Sequence, residues 1–371
     1  MSPWQGVVEV LLATSVEGKQ FDTFLNAQDS KRKSALYHAC NSAHLQVVRV
    51  LVEAGADVNT ETANLATPLH AAASVGNTDI ISLLLKQGAN VDTVDLYQRT
   101  PLIYAAAGNH TSAIKLLVGC GATREHSDLN HNTALLIAAL SGHSAAVQTL
   151  LALGADVDAG DRLHKSALYL CAENGKQETL KALLHHRKCR HLLNAKDCYG
   201  LPPLHASVLA GHLDVVRALI KAGAALDTST EEQDTILHLA AKNGYTSLVA
   251  YIISNCPTLL NAENEDLDTP LHLACKLGHE GAVQALLEGS CDVNTINSSS
   301  STPLHLAAIS GQLKICQMLL DADAPLDMFN KAHKTAVMEA AMAGQVEVTR
   351  LLLERGASLT TTLDTTNYLF P

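Results

Sequence analysis

Aromatic residues are scarce in this chain: one Trp and four Phe among 371 residues, and only 4% aromatic with tyrosine counted. A core without rings has to be built from Ala and Leu, and alanine lets helices approach closely in thin stacked layers. Positive charge is also short. Lys and Arg number 26 against 37 Asp and Glu, a net charge of −11. That balance argues against a nucleic-acid partner, because phosphate binding needs Lys and Arg. No apolar run approaches 18 residues, so no direct membrane insertion is expected. The most apolar stretch, Leu135 to Val157, is broken by Ser141-Gly142-His143-Ser144. The patch Val7 to Ala13 contains Glu9 and lacks a preceding basic segment, which reads against a signal peptide. Nine cysteines show no CxxC spacing. At apolar positions such as Cys40, Cys171 and Cys275 they read as small buried hydrophobes in a reducing compartment. GxSxG, HExxH, P-loop and dinucleotide fingerprints are missing, and nothing sets a nucleophile beside a base. Neither catalysis nor a cofactor is expected.

Against these absences stands one regularity. Ten segments start alike: Ser34-Ala35-Leu36, Thr67-Pro68-Leu69-His70, Thr100-Pro101-Leu102, Thr133-Ala134-Leu135, Ser166-Ala167-Leu168, Pro202-Pro203-Leu204-His205, Thr235-Ile236-Leu237-His238, Thr269-Pro270-Leu271-His272, Thr302-Pro303-Leu304-His305 and Thr335-Ala336-Val337. Their spacings are 33 residues, except for one of 36 and one of 34. Repeats of this length cannot bury a face alone, so they stack into a solenoid, here one continuous elongated domain. Within one repeat, Thr67 is a good N-cap and Pro68 suits the first helical position. The first helix runs to about Val75 and ends at Gly76. The second runs roughly from Thr78 to Lys86 and ends near Gly88. A polar, turn-containing finger leads to the next start. Nine residues after each start stands Gly in eight repeats; Asn109 and Ala43 replace it. Asn tolerates left-handed backbone and Ala does so poorly, so the first repeat is expected to turn differently.

These residues resemble the ankyrin repeat, whose period of 33 and T-P-L-H-x-A signature they carry. The resemblance covers about Ser34 to Leu359. It implies an all-α ankyrin-repeat solenoid of stacked helix-turn-helix units with β-hairpin fingers and a concave groove of fingers and first helices. Residues 34–359 form the repeat domain on this reading. Residues 1–33 form divergent capping helices (Val7, Val8, Val10, Leu11, Leu12, Phe21, Phe24, Leu25), and residues 360–371 a short tail. The family's fingertip Gly, two residues before each start, survives only as Gly200. Leu65, Gln98, His131, His164, Gln233, Leu267, Ser300 and His333 replace it, so divergent fingertip turns are expected.

Eighteen histidines invite a metal, yet ten of them sit at fixed repeat positions (His70, His205, His238, His272, His305; His44, His110, His143, His212, His279). The resemblance implies structural hydrogen bonds for both sets. The segment His185 to His191, with Cys198 nearby, matches no zinc spacing and carries Arg187, Lys188 and Arg190, which repel a cation. It reads as a basic helix terminus entering an inserted loop. Glu263 to Asp268 lacks the central Gly and the twelfth-position Glu of a calcium loop, and reads as an acidic finger. No metal site is expected.

In the ankyrin fold the variable groove positions lie four, three and one residues before each start, and seven and eight after it. The first repeat supplies Ser30, Lys31, Lys33, Asn41 and Ser42. Repeats three to six supply Leu96, Tyr97, Arg99, Leu129, Asn132, Leu140, Arg162, Leu163, Lys165, Tyr199, Leu201 and Leu209. Repeats seven and eight supply Glu231, Glu232, Asp234, Glu265, Asp266 and Asp268; repeat nine supplies Ser298, Ser299 and Ser301. Between Asp227 and Asp268 eight acids face one base, Lys242. The leucines either pack finger on finger or face a partner; the two tyrosines lean toward a partner. The expected function is a non-catalytic, monomeric scaffold or adaptor in the cytoplasm, with the nucleus open. Its partner is another protein with a basic and apolar segment. The alternatives are the ankyrin domain of a larger protein (a transient-receptor-potential-type channel, a membrane-skeleton ankyrin or a ubiquitin-ligase adaptor) or a regulatory subunit docking a phosphatase or kinase. The resemblance also implies possible hydroxylation at Asn59, Asn194, Asn261 and Asn294.

Overall fold

A computed structural model describes residues 25–358. The expected N-terminal cap lies largely outside them, and the tail 360–371 entirely so. The chain divides into two compact units, Met1–Pro203 and Leu204–Pro371.

In the N-terminal unit five helix pairs follow one another: α1 Ala35–Asn41 and α2 Leu45–Glu53, α3 Pro68–Val75 and α4 Thr78–Lys86, α5 Pro101–Ala107 and α6 Thr111–Gly119, α7 Ala134–Ser141 and α8 Ser144–Ala152, α9 Ala167–Glu173 and α10 Gln177–His185. The three extra residues of the fifth repeat are taken up by a 3-10 helix, Arg187–Asn194. The C-terminal unit contains α11 Pro203–Leu209, whose first residue precedes the division, and α12 Leu213–Lys221. It continues with α13 Ile236–Lys242, α14 Thr246–Asn255, α15 Pro270–Leu277, α16 Glu280–Glu288, α17 Pro303–Ile309, α18 Leu313–Asp321, α19 Ala336–Met342 and α20 Val346–Glu354. A 3-10 turn at Pro257–Leu259 absorbs the one-residue insertion.

Within each unit, successive first helices pack on one another and successive second helices likewise, as for α3 on α5 and α5 on α7, and α15 on α17 and α17 on α19. The interface is thin because its residues are small. Ala72, Ala105, Ala138 and Cys171 are fully buried, as are Ala240, Ala274 and Ala307. Leu84, Leu117, Leu150 and Leu183 close the second-helix side without residual exposure. The cysteines follow the expected pattern at Cys40, Cys171 and Cys275, which are buried, with Cys189 and Cys316 alongside them. Burial pushes the Cys40 and Cys316 thiols up to about 12.

The fingers contain no regular strand among the described residues; isolated bridges such as Gln28 to Ser34 and Ser127 to Thr133 replace the expected hairpins. Their turns do not diverge. Leu65, Gln98, His131, His164, Gln233, Leu267, Ser300 and His333 all take left-handed backbone (φ 54 to 63°), as does Gly200 at 75°. One side chain imposes this. Five residues before every start stands Asp, Asn or Thr. Asp95 Oδ1 accepts the amides of Tyr97 (2.9 Å) and Arg99 (2.8 Å). Asn297 Oδ1 accepts those of Ser299 and Ser301 (both 3.0 Å). Thr62 and Thr230 accept one amide each, from Ala66 and Asp234. This local bonding competes with regular structure and holds the turn whatever residue sits at its tip.

The first repeat also turns like the others, against expectation. Ala43 adopts φ 56° and Asn109 58°, beside 74° at Gly76. The Ala43 amide still bonds the Cys40 carbonyl (3.1 Å) and the His44 amide the Ala39 carbonyl (3.0 Å), so the helix end dictates the turn. At Gly76 a Cβ would meet His110 Cγ at 2.3 Å. That imidazole bonds the Ser74 carbonyl at 2.9 Å, tying one repeat's helix end to the next repeat. His143 reaches Ala107, His279 reaches Lys242 and Gln345 reaches Ile309 in the same way.

Four of the five signature histidines, His70, His238, His272 and His305, act as caps, as expected. His70 Nδ1 accepts the Thr67 amide (3.0 Å), and Nε2 donates to the Arg99 carbonyl in the next finger (2.9 Å). His238, His272 and His305 repeat the pattern onto Asp268, Ser301 and Lys334. Only the neutral imidazole can accept at one nitrogen and donate at the other. Burial, the largest influence, holds all four below the ordinary 6.5.

Two predictions follow from these turns and caps. Gly76→Ala should destabilise by about 1–2 kcal/mol through the left-handed backbone alone, with more from the displaced His110. Ala43→Gly should raise the urea midpoint. The two shifts having the same sign would refute the account. Below about pH 6.5 the unfolded chain binds protons that the four capping histidines resist, so stability should fall as pH drops from 7 toward 5.5. A urea midpoint that stays flat over that range would contradict it.

Candidate protein-interaction surfaces

In the N-terminal unit the fingers join through backbone bonds: Leu96 amide to Asn64 carbonyl (2.9 Å), Leu129 to Tyr97 (3.0 Å), Arg162 to Asn130 (3.1 Å) and Cys198 to Leu163 (2.9 Å). The backbone therefore makes the finger-to-finger contact, and the leucine side chains are left over. Leu96 is 52% exposed, Leu129 48% and Leu163 37%; Tyr97 and Tyr199 are exposed as well.

The residues one before each start are held differently. Asp95 is fully buried and receives Arg99 Nη2 (2.7 Å), Arg99 Nε (2.9 Å) and the Tyr104 hydroxyl (2.8 Å). Burial raises the Asp95 carboxyl, but these hydrogen bonds outweigh it and hold it below its ordinary value. The Arg99 guanidinium lies 4.9 Å from the Tyr97 ring centre and 4.8 Å from that of Tyr104. Tyr97 is thus an exposed ring backed by a clamped cation. Lys165 pairs with Glu173 (2.7 Å) and lies over Tyr169, whose hydroxyl donates to Asp197 in the next finger (2.8 Å). Asn132 bonds back to Asp128 (3.3 Å).

Five predicted residues share one cleft. Asn132, Leu140, Arg162, Leu163 and Lys165, with Asn130, Asp161, Leu170 and Glu173, line a recess of about 380 Å³ between the fourth and fifth repeats. Leu140 and Leu163 give it an apolar wall, and Arg162 is an exposed cation at its edge. Tyr199 and the half-buried Leu201 lie on the next finger, outside the recess.

In the C-terminal unit Glu231, Glu232, Glu265 and Asp266 are exposed on neighbouring fingers, joined by the Glu265 amide to the Glu232 carbonyl (3.0 Å). Hydrogen bonds from its own amide and the Thr230 hydroxyl hold the Glu232 carboxyl below its ordinary range, so the finger stays anionic. Asp234 and Asp268 differ from the expectation: they are 4% and 5% exposed. Asp234 accepts from Asn264 Nδ2 (2.8 Å) and Asp268 from Asn297 Nδ2 (2.8 Å), each from the next finger. They are internal struts, because the following finger's amide covers them. Asn264 Oδ1 is occupied by the Asp266 and Asp268 amides, the ordinary finger turn rather than a calcium loop. Leu209 is 39% exposed at the end of α11.

The 185–191 segment, where α10 ends and the 3-10 helix begins, is held by side-chain anchors. His185 bonds the Lys181 carbonyl (2.6 Å), His191 meets Asp158, and buried Cys189 lies 3.8 Å from His186 Nδ1. Among the described residues no group of three or more His, Cys, Asp or Glu is arranged to hold a metal, and no helix is long and apolar enough to cross a membrane. Of the asparagines marked for hydroxylation, Asn59 and Asn261 use their side-chain oxygens on the amides of Asn90 and Asp292 in the next repeat. Asn194 and Asn294 are exposed. Two features went unread in the sequence. The Asp, Asn or Thr five residues before each start was visible as a constant polar position. The exposed ends of α15, α17 and α19 fall at the same positions seven and eight after the start that supplied Leu140 and Leu209.

The stacked helix pairs and their fingers define a repeat protein. A family profile described as "Ankyrin repeats (3 copies)" matches residues 4–95, 60–128, 90–161, 105–191, 154–230, 222–297 and 289–363, and the chain belongs to the ankyrin-repeat family. Ankyrin repeats are protein-interaction modules. Protein phosphatase 1 regulatory subunit 27 of Homo sapiens is 42% identical over 55 residues, 15% of this chain and 36% of that protein. Notch-regulated ankyrin repeat-containing protein of Homo sapiens is 32% identical over 78 residues, 21% of this chain and 68% of that protein. Inversin of Danio rerio is 38% identical over 63 residues, 17% of this chain and 6% of that protein. The chain thus spans about a third of the phosphatase subunit and a small part of inversin.

The clamp at Asp95 is open to test. Asp95→Ala removes the carboxylate that accepts from the Arg99 guanidinium and the Tyr104 hydroxyl, and with it the acceptor of the Tyr97 and Arg99 amides in the turn. The expected loss is about 2 kcal/mol, read as a lower thermal midpoint; an unchanged midpoint would show that the clamp adds no stability.

Proposed function

We propose that this chain is a non-catalytic scaffold or adaptor that binds a partner protein on the face made by its fingers and the ends of its first helices. The observation that carries the reading is the separation of roles on each finger. The residue before the start is mostly tied inward, while those three and four before it are left exposed with a strong local character. In the N-terminal unit that character is apolar and aromatic: Leu96, Tyr97, Leu129 and Tyr199, with the recess beside Leu140 and Leu163 suited to an apolar side chain. In the C-terminal unit it is anionic: Glu231, Glu232, Glu265 and Asp266. Tyrosine and leucine on a rigid backbone suit the core of an interface, and an acidic flank steers a basic partner. The reading puts the chain in a reducing compartment, where its thiols persist.

A second reading has its own support. The stretch shared with protein phosphatase 1 regulatory subunit 27 favours a regulatory subunit that docks a phosphatase. Co-purification of phosphatase activity with the chain would select it.

Affinity capture followed by mass spectrometry tests the first reading, comparing wild type with Glu231→Ser/Glu232→Ser/Glu265→Ser/Asp266→Ser. These residues are exposed, so the variant should fold normally. It should lose prey that wild type retains at low salt and releases at high salt. A prey list identical in both, with the same salt response, would remove the acidic fingers from the function.

A further inference from the structure

The insertion of the fifth repeat is a basic patch on an acidic chain. Arg187, Lys188 and Arg190 are exposed and nearly consecutive, in a protein of net charge −11. They stand far upstream of the sixth start at Pro202, outside every groove position.

The patch is held in one geometry. Residues three apart share a side of a 3-10 helix. Over Arg187–Asn194 this aligns Cys189 with Leu192, both buried, and Arg187 with Arg190, both in solvent. Leu193 is buried as well, the His185 imidazole bonds the Lys181 carbonyl, and His191 meets Asp158. The segment packs on α9 and α10.

Neither folding nor the helix dipole asks for these charges. The inserted turn of the seventh repeat, Pro257–Leu259, carries none and does the same structural task. The dipole of α10 acts only over its last turn, and that turn ends at His185. Lys181 is matched by Glu178 and His191 by Asp158. Arg187, Lys188 and Arg190 enter no ion pair or side-chain hydrogen bond among the described residues.

Cations displayed on an anchored backbone without a counterion suit an anionic ligand, because less backbone order remains to be lost on binding. Two of the three are Arg, whose guanidinium fork matches a carboxylate bidentately. The ligand must also be short. A nucleic-acid duplex or an anionic membrane extends past the patch and meets a chain with 37 acids against 26 bases. That repulsion is felt over roughly 8 Å at physiological salt.

We propose that the insertion at Arg187–Asn194 docks a short acidic segment of a partner protein, its Asp and Glu carboxylates pairing with Arg187, Lys188 and Arg190. This is a second interaction surface, independent of the fingers and of what they bind.

Fluorescence anisotropy on the full chain tests it, with labelled peptides of about ten residues, roughly 33 Å when extended. One set is rich in Asp and Glu at varied positions; a matched set has Asn and Gln in their place. The tightest acidic peptide should bind at least about tenfold better than its amide counterpart, about 1.4 kcal/mol, and weaken as salt rises. Arg187→Gln/Lys188→Gln/Arg190→Gln should lose the advantage at an unchanged melting temperature, since all three side chains are exposed. Arg49→Gln/Lys86→Gln/Lys115→Gln removes as many exposed charges from other second helices and should keep it. Equal loss in both variants would reduce the effect to net charge and overturn the proposal, as would acidic peptides binding no better than their amide counterparts. A short DNA duplex or a phosphatidylserine vesicle bound more tightly than any acidic peptide would overturn it as well. Glu231→Ser/Glu232→Ser/Glu265→Ser/Asp266→Ser should not weaken peptide binding, so prey lost by that variant speaks to the fingers alone.

Discussion

The side chain five residues before each repeat start governs what the rest of the surface can be. Its oxygen accepts amides inside its own finger, and in the eight fingers with Asp or Asn it accepts two. That closes a tight turn and forces left-handed backbone at the tip. For a residue with a Cβ this conformation costs about 1–2 kcal/mol. The hydrogen bonds received by an ionised or amide oxygen are of comparable size, so the turn survives Leu, Gln, His or Ser at its tip. Without this bonding, loss of the tip glycine would have let the fingers differ.

A turn fixed in that way also fixes direction. The residues three and four before the start leave the finger toward solvent, and the residue one before turns back toward the helices. Arg99, Asn132 and Lys165 accordingly find internal partners, and Asp234 and Asp268 disappear beneath the next finger's amides. What a partner can touch is then a narrow subset of each repeat: Leu96 and Tyr97, Leu129, Leu163, Glu231 and Glu232, Glu265 and Asp266. Repeats differ most in chemistry at these positions while keeping the same finger turn.

The cohesion between repeats comes from polar bridges as much as from the alanine and leucine layers. Capping imidazoles donate to carbonyls of the next finger, and His110, His143, Tyr245, His279 and Gln345, each ten past its start, reach back to the previous helix end. Tyr169 takes the capping place in the fifth repeat and reaches Asp197 through its hydroxyl. Each bridge spans a neighbouring pair, as expected where stability is a sum of nearest-neighbour terms. A repeat removed from its neighbours would leave buried donors and acceptors unpaired, which is why the period is a structural unit without being a stable one.

Helix positions, their caps and the inward Leu and Ala were legible because they depend on contacts within a few residues and recur ten times. The structural reading of the histidines came with the ankyrin resemblance, and their neutral state only from the bonds they make. The carboxylates at Asp234 and Asp268 were not legible as struts, since Asn264 and Asn297 that cover them belong to the following fingers, about 30 residues on. The left-handed turn at Ala43 escaped as well, because the helix end rather than the residue's own preference decides it. The sequence alone therefore determined the repeat, the ankyrin class and the acidic character of the later fingers, all of them properties of local pattern and composition. Only the tertiary structure decided which charges face outward, that Leu140 and Leu163 share a recess, and that Leu277, Ile309 and Met342 stay exposed at the ends of their helices. Exposure depends on what the neighbouring repeat places on top.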